Sequence, residues 1–137
     1  MVTIIRNADV YAPEHLGRTD VLLLGGTIAA VGENLKADFG GAVKVTELDG
    51  SELILTPGLI DGHEHIMGGG GEGGFHTRTP EASLTDLTLN GITTVVGCIG
   101  TDGVARHMES LLAKAKGLEE EGITTYVYTG SYQVPVH

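Results

Sequence analysis

Pro57-Gly58-Leu59-Ile60-Asp61-Gly62-His63-Glu64-His65 runs directly into Ile66-Met67-Gly68-Gly69-Gly70-Gly71-Glu72-Gly73-Gly74, and this stretch decides how the rest of the chain is read. Residues 53–60 are apolar and β-branched enough to predict a buried strand, along which residues two apart share a face. His63 and His65 therefore point the same way at that strand's end. Two neutral imidazoles so placed form a clamp for a borderline metal such as zinc. On an arbitrary strand such a pair more often serves surface or packing, but this one ends a buried strand, follows Asp61 and precedes a glycine run. Asp61 either orients one imidazole from behind or caps a turn, and both roles stay open. Glu64 points to the opposite face and is not expected to be a ligand. The glycines let backbone approach whatever sits there, because they carry no side chain and reach unusual φ/ψ values.

Upstream, residues 3–11 predict a strand that the turn at residues 12–15 breaks. Residues 20–24 and 27–31 predict a hairpin about Gly25-Gly26, and residues 43–48 alternate as a further strand. Residues 1–52 are thus expected to form a small antiparallel β domain.

Downstream the period changes. Thr79 as N-cap and Pro80 at the first helical position predict a helix through Glu81, Leu84 and Leu87, closed by Asn90-Gly91. Residues 92–99, nearly all apolar or β-branched, suit a parallel strand covered on both faces. Gly100-Thr101-Asp102-Gly103 then turns into a second helix, with Val104, Met108, Leu111, Leu112, Ala115 and Leu118 at helical spacing and Gly122 as its terminator. Residues 123–130 predict a third strand, ending in Ser131-Tyr132. Strand, helix, strand, helix, strand makes two consecutive βαβ units.

Such a series opens either a doubly wound sheet or a (β/α)8 barrel. Polar and glycine residues gather after every strand, which is where a barrel keeps its chemistry. A barrel takes about 250 residues, so residues 53–137 are expected to supply roughly three of its eight strands. The 137 residues are accordingly read as the N-terminal part of a longer protein.

The formal charge of −10 repels phosphate backbones and acidic membrane surfaces, so neither nucleic acid nor membrane is expected as a partner. No basic-then-apolar leader opens the sequence, and no apolar run approaches the ~18 residues of a membrane span. Cys98, the single cysteine, lies in an apolar run. It reads as a small buried hydrophobe rather than a nucleophile, and it fits a reducing cytoplasm.

The stretch from Pro57 to His65 resembles the first-strand signature of the amidohydrolase superfamily. The glycine loop with Glu72, Thr77-Arg78-Thr79-Pro80-Glu81, residues 97–102 and Tyr128-Thr129-Gly130-Ser131-Tyr132 together resemble its isoaspartyl dipeptidase branch. The resemblance implies an α/β fold: a small N-terminal β-sandwich domain, residues 1–52, then the first strands and helices of a metal-dependent TIM barrel, residues 53–137, incomplete here. It implies zinc-dependent hydrolysis of the isopeptide bond of β-aspartyl dipeptides, in which a hydroxide bridging two zinc ions attacks the carbonyl. His63 and His65 would bind one zinc of that binuclear centre. Gly70, Gly71 and Glu72 would line the substrate site, the Glu72 carboxylate pairing with the dipeptide's free α-amino group; a solvated loop charge is its plainer role. Thr101 would help bind substrate or cap the next helix, or both. Tyr132 would donate its phenol hydrogen to the oxyanion. A homo-oligomer, an octamer, is also implied.

The further histidine ligands, the bridging lysine and the aspartate base of that family lie on later strands. Two imidazoles fall short of the three or four protein ligands of a zinc site, so the 137-residue chain alone is expected to be inactive. Two alternatives stand beside this reading: another amidohydrolase, acting on cyclic amides or as a deacetylase, and a non-catalytic fragment acting by association.

Overall fold

A computed structural model describes residues 1–131 and 134–135. Its residues divide into two compact units, 1–57 and 58–137.

The first unit is built on β1 (Val2–Tyr11), whose alternate residues Val2, Ile4, Ala8 and Val10 are buried. β2 (His15–Leu24) runs antiparallel to it, and β3 (Thr27–Gly32) returns from β2 through the Gly25-Gly26 turn. This is the hairpin that the sequence predicts, with β2 extended back to His15.

β4 (Val45–Asp49) and β5 (Ile54–Leu55) differ from expectation, because both pair with β1 in parallel. The sheet is therefore mixed, with the order β3-β2-β1-β4 and β5 also on β1. The connection at residues 33–44 is long enough to carry the chain across the sheet to the other edge of β1, as parallel pairing requires. Ala8, Val10 and Val21 form the unit's core, with Ile5, Leu23 and Leu55 against it.

A polar staple holds these strands together. Arg6 donates to Asp20 at 2.7 Å, to the Leu35 carbonyl at 2.5 Å and, through two nitrogens, to Glu47 at 2.6 and 3.1 Å. Asp20, 7% exposed, also accepts the backbone N–H groups of Asn7 and Leu35. The Asn7 N–H is the main cause that holds the Asp20 carboxyl below its usual range, with Arg6 adding to it. Asp20→Ala leaves those donors unmatched in a partly buried place, and it is expected to destabilise the fold by about 2 kcal/mol in urea unfolding. Because the folded-state pKa is lowered, the contribution is full above the unfolded pKa of about 3.9 and is lost as pH falls through the folded value. The wild-type and Asp20→Ala curves should therefore converge in acid.

In the second unit, β6 (Leu59–Glu64), β7 (Ile92–Gly97) and β8 (Thr124–Val127) form a parallel sheet in that order. α1 (Leu84–Thr88) packs on β7, and α2 (Met108–Glu121) packs on β8. Ile66, Leu87, Val95, Ile99, Leu111, Ala115, Leu118 and Ile123 make the core between helices and sheet. Ile60, 72% exposed, and Tyr126 stay open to solvent.

Three elements depart from the sequence reading, each for a local reason. The strand expected over residues 53–60 is divided: residues 54–55 join the first sheet, while β6 starts at Leu59 and carries His63 within it. The first helix starts at Leu84, capped by Ser83 in a reciprocal box with Asp86. Thr79 is unavailable as a cap, because its hydroxyl accepts the Gly69 N–H at 2.6 Å and its own N–H donates to the Gly69 carbonyl. The second helix starts at Met108, since Asp102 accepts the N–H groups of Val104 and Ala105 in a separate turn. That leaves Val104 exposed and Leu112 half out of the core, while Leu111, Ala115 and Leu118 carry the buried stripe. Gly122 ends the helix in the left-handed conformation, as expected.

No helix among the described residues is long and apolar enough to cross a membrane.

Candidate functional site

The C-terminal ends of the parallel strands gather the polar residues. His63 lies in β6 and His65 just beyond it, with ring centroids 5.4 Å apart at an interplanar angle of 67°. The expected pair is thus brought together. Tyr128 follows β8, donates to the Gly62 carbonyl at 3.0 Å and brings its ring to 6.2 Å from that of His63. Of the two roles open for Asp61, the structure shows the turn cap: its carboxylate accepts the His63 backbone N–H at 2.9 Å. Burial, and then the Asp61 carboxylate, raise the Glu64 carboxyl above its usual range.

Cys98 stands against this pair. The β6–β7 register shifts so that Glu64 lies opposite Gly97, and the Cys98 N–H donates to the Glu64 carbonyl at 3.0 Å. The cysteine is 8% exposed, as its apolar run suggests, yet its Sγ lies 3.6 Å from His65 Nδ1. Burial is the main cause that raises its thiol pKa, followed by Glu64. His63, Cys98, Gly100, Tyr128, Thr129 and Ser131 are among the residues lining a cavity of about 220 Å³. Gly100 sits at φ +83°, and a Cβ there would come within 2.7 Å of His65 Nδ1, so only glycine leaves the imidazole its place.

The glycine loop is held as a shaped piece of backbone. Gly70 has φ +67°, and a Cβ on it would run into the Thr77 carbonyl oxygen. Gly71 donates to the Thr77 hydroxyl at 3.2 Å. Arg106, 4% exposed, donates to the Gly69 and Gly70 carbonyls at 2.9 and 3.0 Å. Sequence reading missed this brace. Its signal was a lone arginine four residues after Asp102, at the start of an otherwise apolar helical pattern.

At the loop's tip, the Thr101 hydroxyl donates to the Glu72 carboxylate. That bond is the main cause that holds the Glu72 carboxyl below its ordinary range, with weaker help from its own N–H, His65 and Arg106. Gly71, Glu72, Phe75, Thr101, Asp102 and Val104 line a second cavity of about 280 Å³. Glu72, Thr101 and Gly71 are thus brought together, and Gly70 lies next in the loop. Tyr132, expected to donate to the oxyanion, lies outside the described residues.

The site offers an imidazole pair with a thiol beside it and, on the adjoining loop, an anchored carboxylate. Neutral imidazole and thiolate are donors for zinc and similar ions, so the set fits such a metal. The carboxylate is suited to an ammonium group.

No protein-family model matches the chain. The crystal structure of a beta-aspartyl dipeptidase from Fervidobacterium islandicum AW-1 is similar at 51% identity with a TM-score of 0.91, over 99% of this chain and 36% of that one. The same enzyme in complex with a beta-Asp-Leu dipeptide gives 51% identity and a TM-score of 0.88, over 100% and 35%. A dihydroorotase of Bacillus cereus (strain G9842) is 33% identical over 111 residues, which are 79% of this chain and 24% of the relative. The chain thus spans about a quarter to a third of the length of these proteins. In sequence and fold the chain belongs to the amidohydrolase superfamily and resembles the N-terminal portion of its beta-aspartyl dipeptidases.

Proposed function

We propose that the chain is the N-terminal portion of a zinc-dependent hydrolase that cleaves the isopeptide bond of β-aspartyl dipeptides. One observation carries the reading: a carboxylate, Glu72, is fixed by Thr101 on a glycine loop whose neighbours include the His63 and His65 pair. The substrate class follows from charge. A β-aspartyl dipeptide presents a free α-ammonium group, and an ammionium entering a confined site needs an anionic partner. Glu72 supplies it, Thr101 holds that carboxylate in one direction, and Gly70 and Gly71 let the substrate lie against backbone.

His63 and His65 would hold one of two zinc ions, with the remaining ligands coming from residues outside this chain. Bound zinc supplies Lewis-acid polarisation of the scissile carbonyl and a water of lowered pKa. Tyr132 would donate its phenol hydrogen to the developing oxyanion. In the same proposal, residues 1–52, whose sheet residues 54–55 join, form a small β domain, and the second unit is the beginning of a (β/α)8 barrel. The complete enzyme would be a cytoplasmic homo-oligomer, an octamer.

The identity shared with a dihydroorotase supports a second reading, a cyclic-amide hydrolase. A cyclic amide carries no α-ammonium to meet Glu72, and that difference provides the test. For the complete protein, N-acetylation of β-aspartyl-leucine is expected to lower kcat/KM about a hundredfold, the loss of the charge-assisted contact between the α-ammonium and Glu72. Equal turnover of the free and acetylated dipeptides would remove Glu72 from substrate recognition.

A further inference from the structure

We propose that Arg106 is a positioning residue of the substrate site: its guanidinium fixes the backbone of the glycine loop so that the Glu72 carboxylate stands where the substrate's α-ammonium arrives. The inference rests on the reading of Glu72 given above and adds a residue that acts through it. Residues 98–107, between β7 and α2, carry both Thr101 and Arg106. Thr101 grips the tip of the loop at the Glu72 carboxylate, and Arg106 grips its base at the Gly69 and Gly70 carbonyls, at 2.9 and 3.0 Å.

The loop needs such a hold. Six of residues 68–74 are glycine, and a run of glycines loses more conformational freedom on ordering than any other sequence. A planar fork with fixed spacing between its N–H groups holds two successive carbonyls in one relative orientation, which a single ammonium on a flexible stem does not. Arg106 is 4% exposed and forms an ion pair with none of the described acidic side chains, and its Nε is buried without a hydrogen-bond partner. Burying a guanidinium in this way costs free energy, and an apolar side chain of similar volume would fill the place at lower cost. What the guanidinium adds is the hold on two carbonyls and a positive field beneath the loop. That field reaches the carboxylate: behind the Thr101 hydrogen bond, the main cause, Arg106 is among the groups that keep the Glu72 carboxyl below its usual range. The backbone leading to Arg106 is set as well, because Asp102 accepts the N–H groups of Val104 and Ala105 at 3.1 and 2.8 Å.

The test is the preference of the complete, zinc-loaded protein for β-aspartyl-leucine over its N-acetylated form, a ratio of two kcat/KM values that a general loss of folded protein does not move. Arg106→Met keeps much of the bulk and removes the fork. Arg106→Lys keeps the charge and a long stem, and it carries the test where circular dichroism shows the methionine variant unfolded. The expected result is a preference lowered about tenfold in Arg106→Met and by less in Arg106→Lys, with zinc content unchanged. Adding Arg106→Met to Glu72→Gln is expected to cost less than about a further twofold, because the arginine acts through that carboxylate. An undiminished preference in a folded variant, zinc lost with the arginine, losses that multiply in the double variant, or failure of both single variants to fold would overturn the role of Arg106. A wild-type protein that turns over both dipeptides equally would overturn the reading of Glu72 and this inference with it.

Discussion

Glu72→Gln is expected to lower the kcat/KM of the complete protein for β-aspartyl-leucine by about a hundredfold while its bound zinc stays unchanged. The substitution keeps the shape of the side chain and its acceptor for the Thr101 hydroxyl, so the loop keeps its anchor. What it removes is the negative charge proposed to meet the α-ammonium of the substrate. Metal content is expected to hold, because Glu72 is outside the donor cluster of His63, His65 and Cys98. Steady-state kinetics and metal analysis on the same preparation separate the two effects. Unchanged turnover would sink the role given to Glu72, and lost zinc would move that residue into the metal site.

The double variant His63→Ala/His65→Ala is expected to bring metal content to background and to lower hydrolysis by at least about a thousandfold, the scale of a lost Lewis acid and activated water. Both imidazoles leave at once, and no other described side chain groups with Cys98 to replace them. The variant is expected to fold, because neither histidine belongs to the core of Ile66, Val95, Ile99 and Leu111. Circular dichroism of the variant is the control. Retained stoichiometric zinc in the variant would show that the pair is not a ligand pair.

The parts of this fold legible in the sequence are those decided by neighbours along the chain. Gly25-Gly26 between two apolar runs gave the β2–β3 hairpin, and the β-branched run of β7 together with the stripe of Leu111, Ala115 and Leu118 gave a parallel βαβ series. His63 and His65 were legible because strand periodicity and the glycine run after them are local signals. What could not be read depends on partners far along the chain. Residues 54–55 leave the expected strand because Asp9 and Val10 offer them a parallel edge. Thr79 gives up its cap because Gly69 takes its hydroxyl. Cys98 is buried, as its apolar run suggests, but its place beside His65 follows from the shifted β6–β7 register, which no local pattern encodes. Arg106 escaped notice for the same reason, as the carbonyls it braces are those of Gly69 and Gly70 on a distant loop.

The central claim is the substrate, and competition among three substrates tests it most directly. The complete, zinc-loaded protein is offered β-aspartyl-leucine, dihydroorotate and hydantoin in parallel steady-state assays. The account predicts efficient release of leucine from the dipeptide, with turnover of both cyclic amides lower by about a hundredfold or more, since neither presents an ammonium group to Glu72. Turnover of dihydroorotate or hydantoin with no cleavage of β-aspartyl-leucine would contradict it.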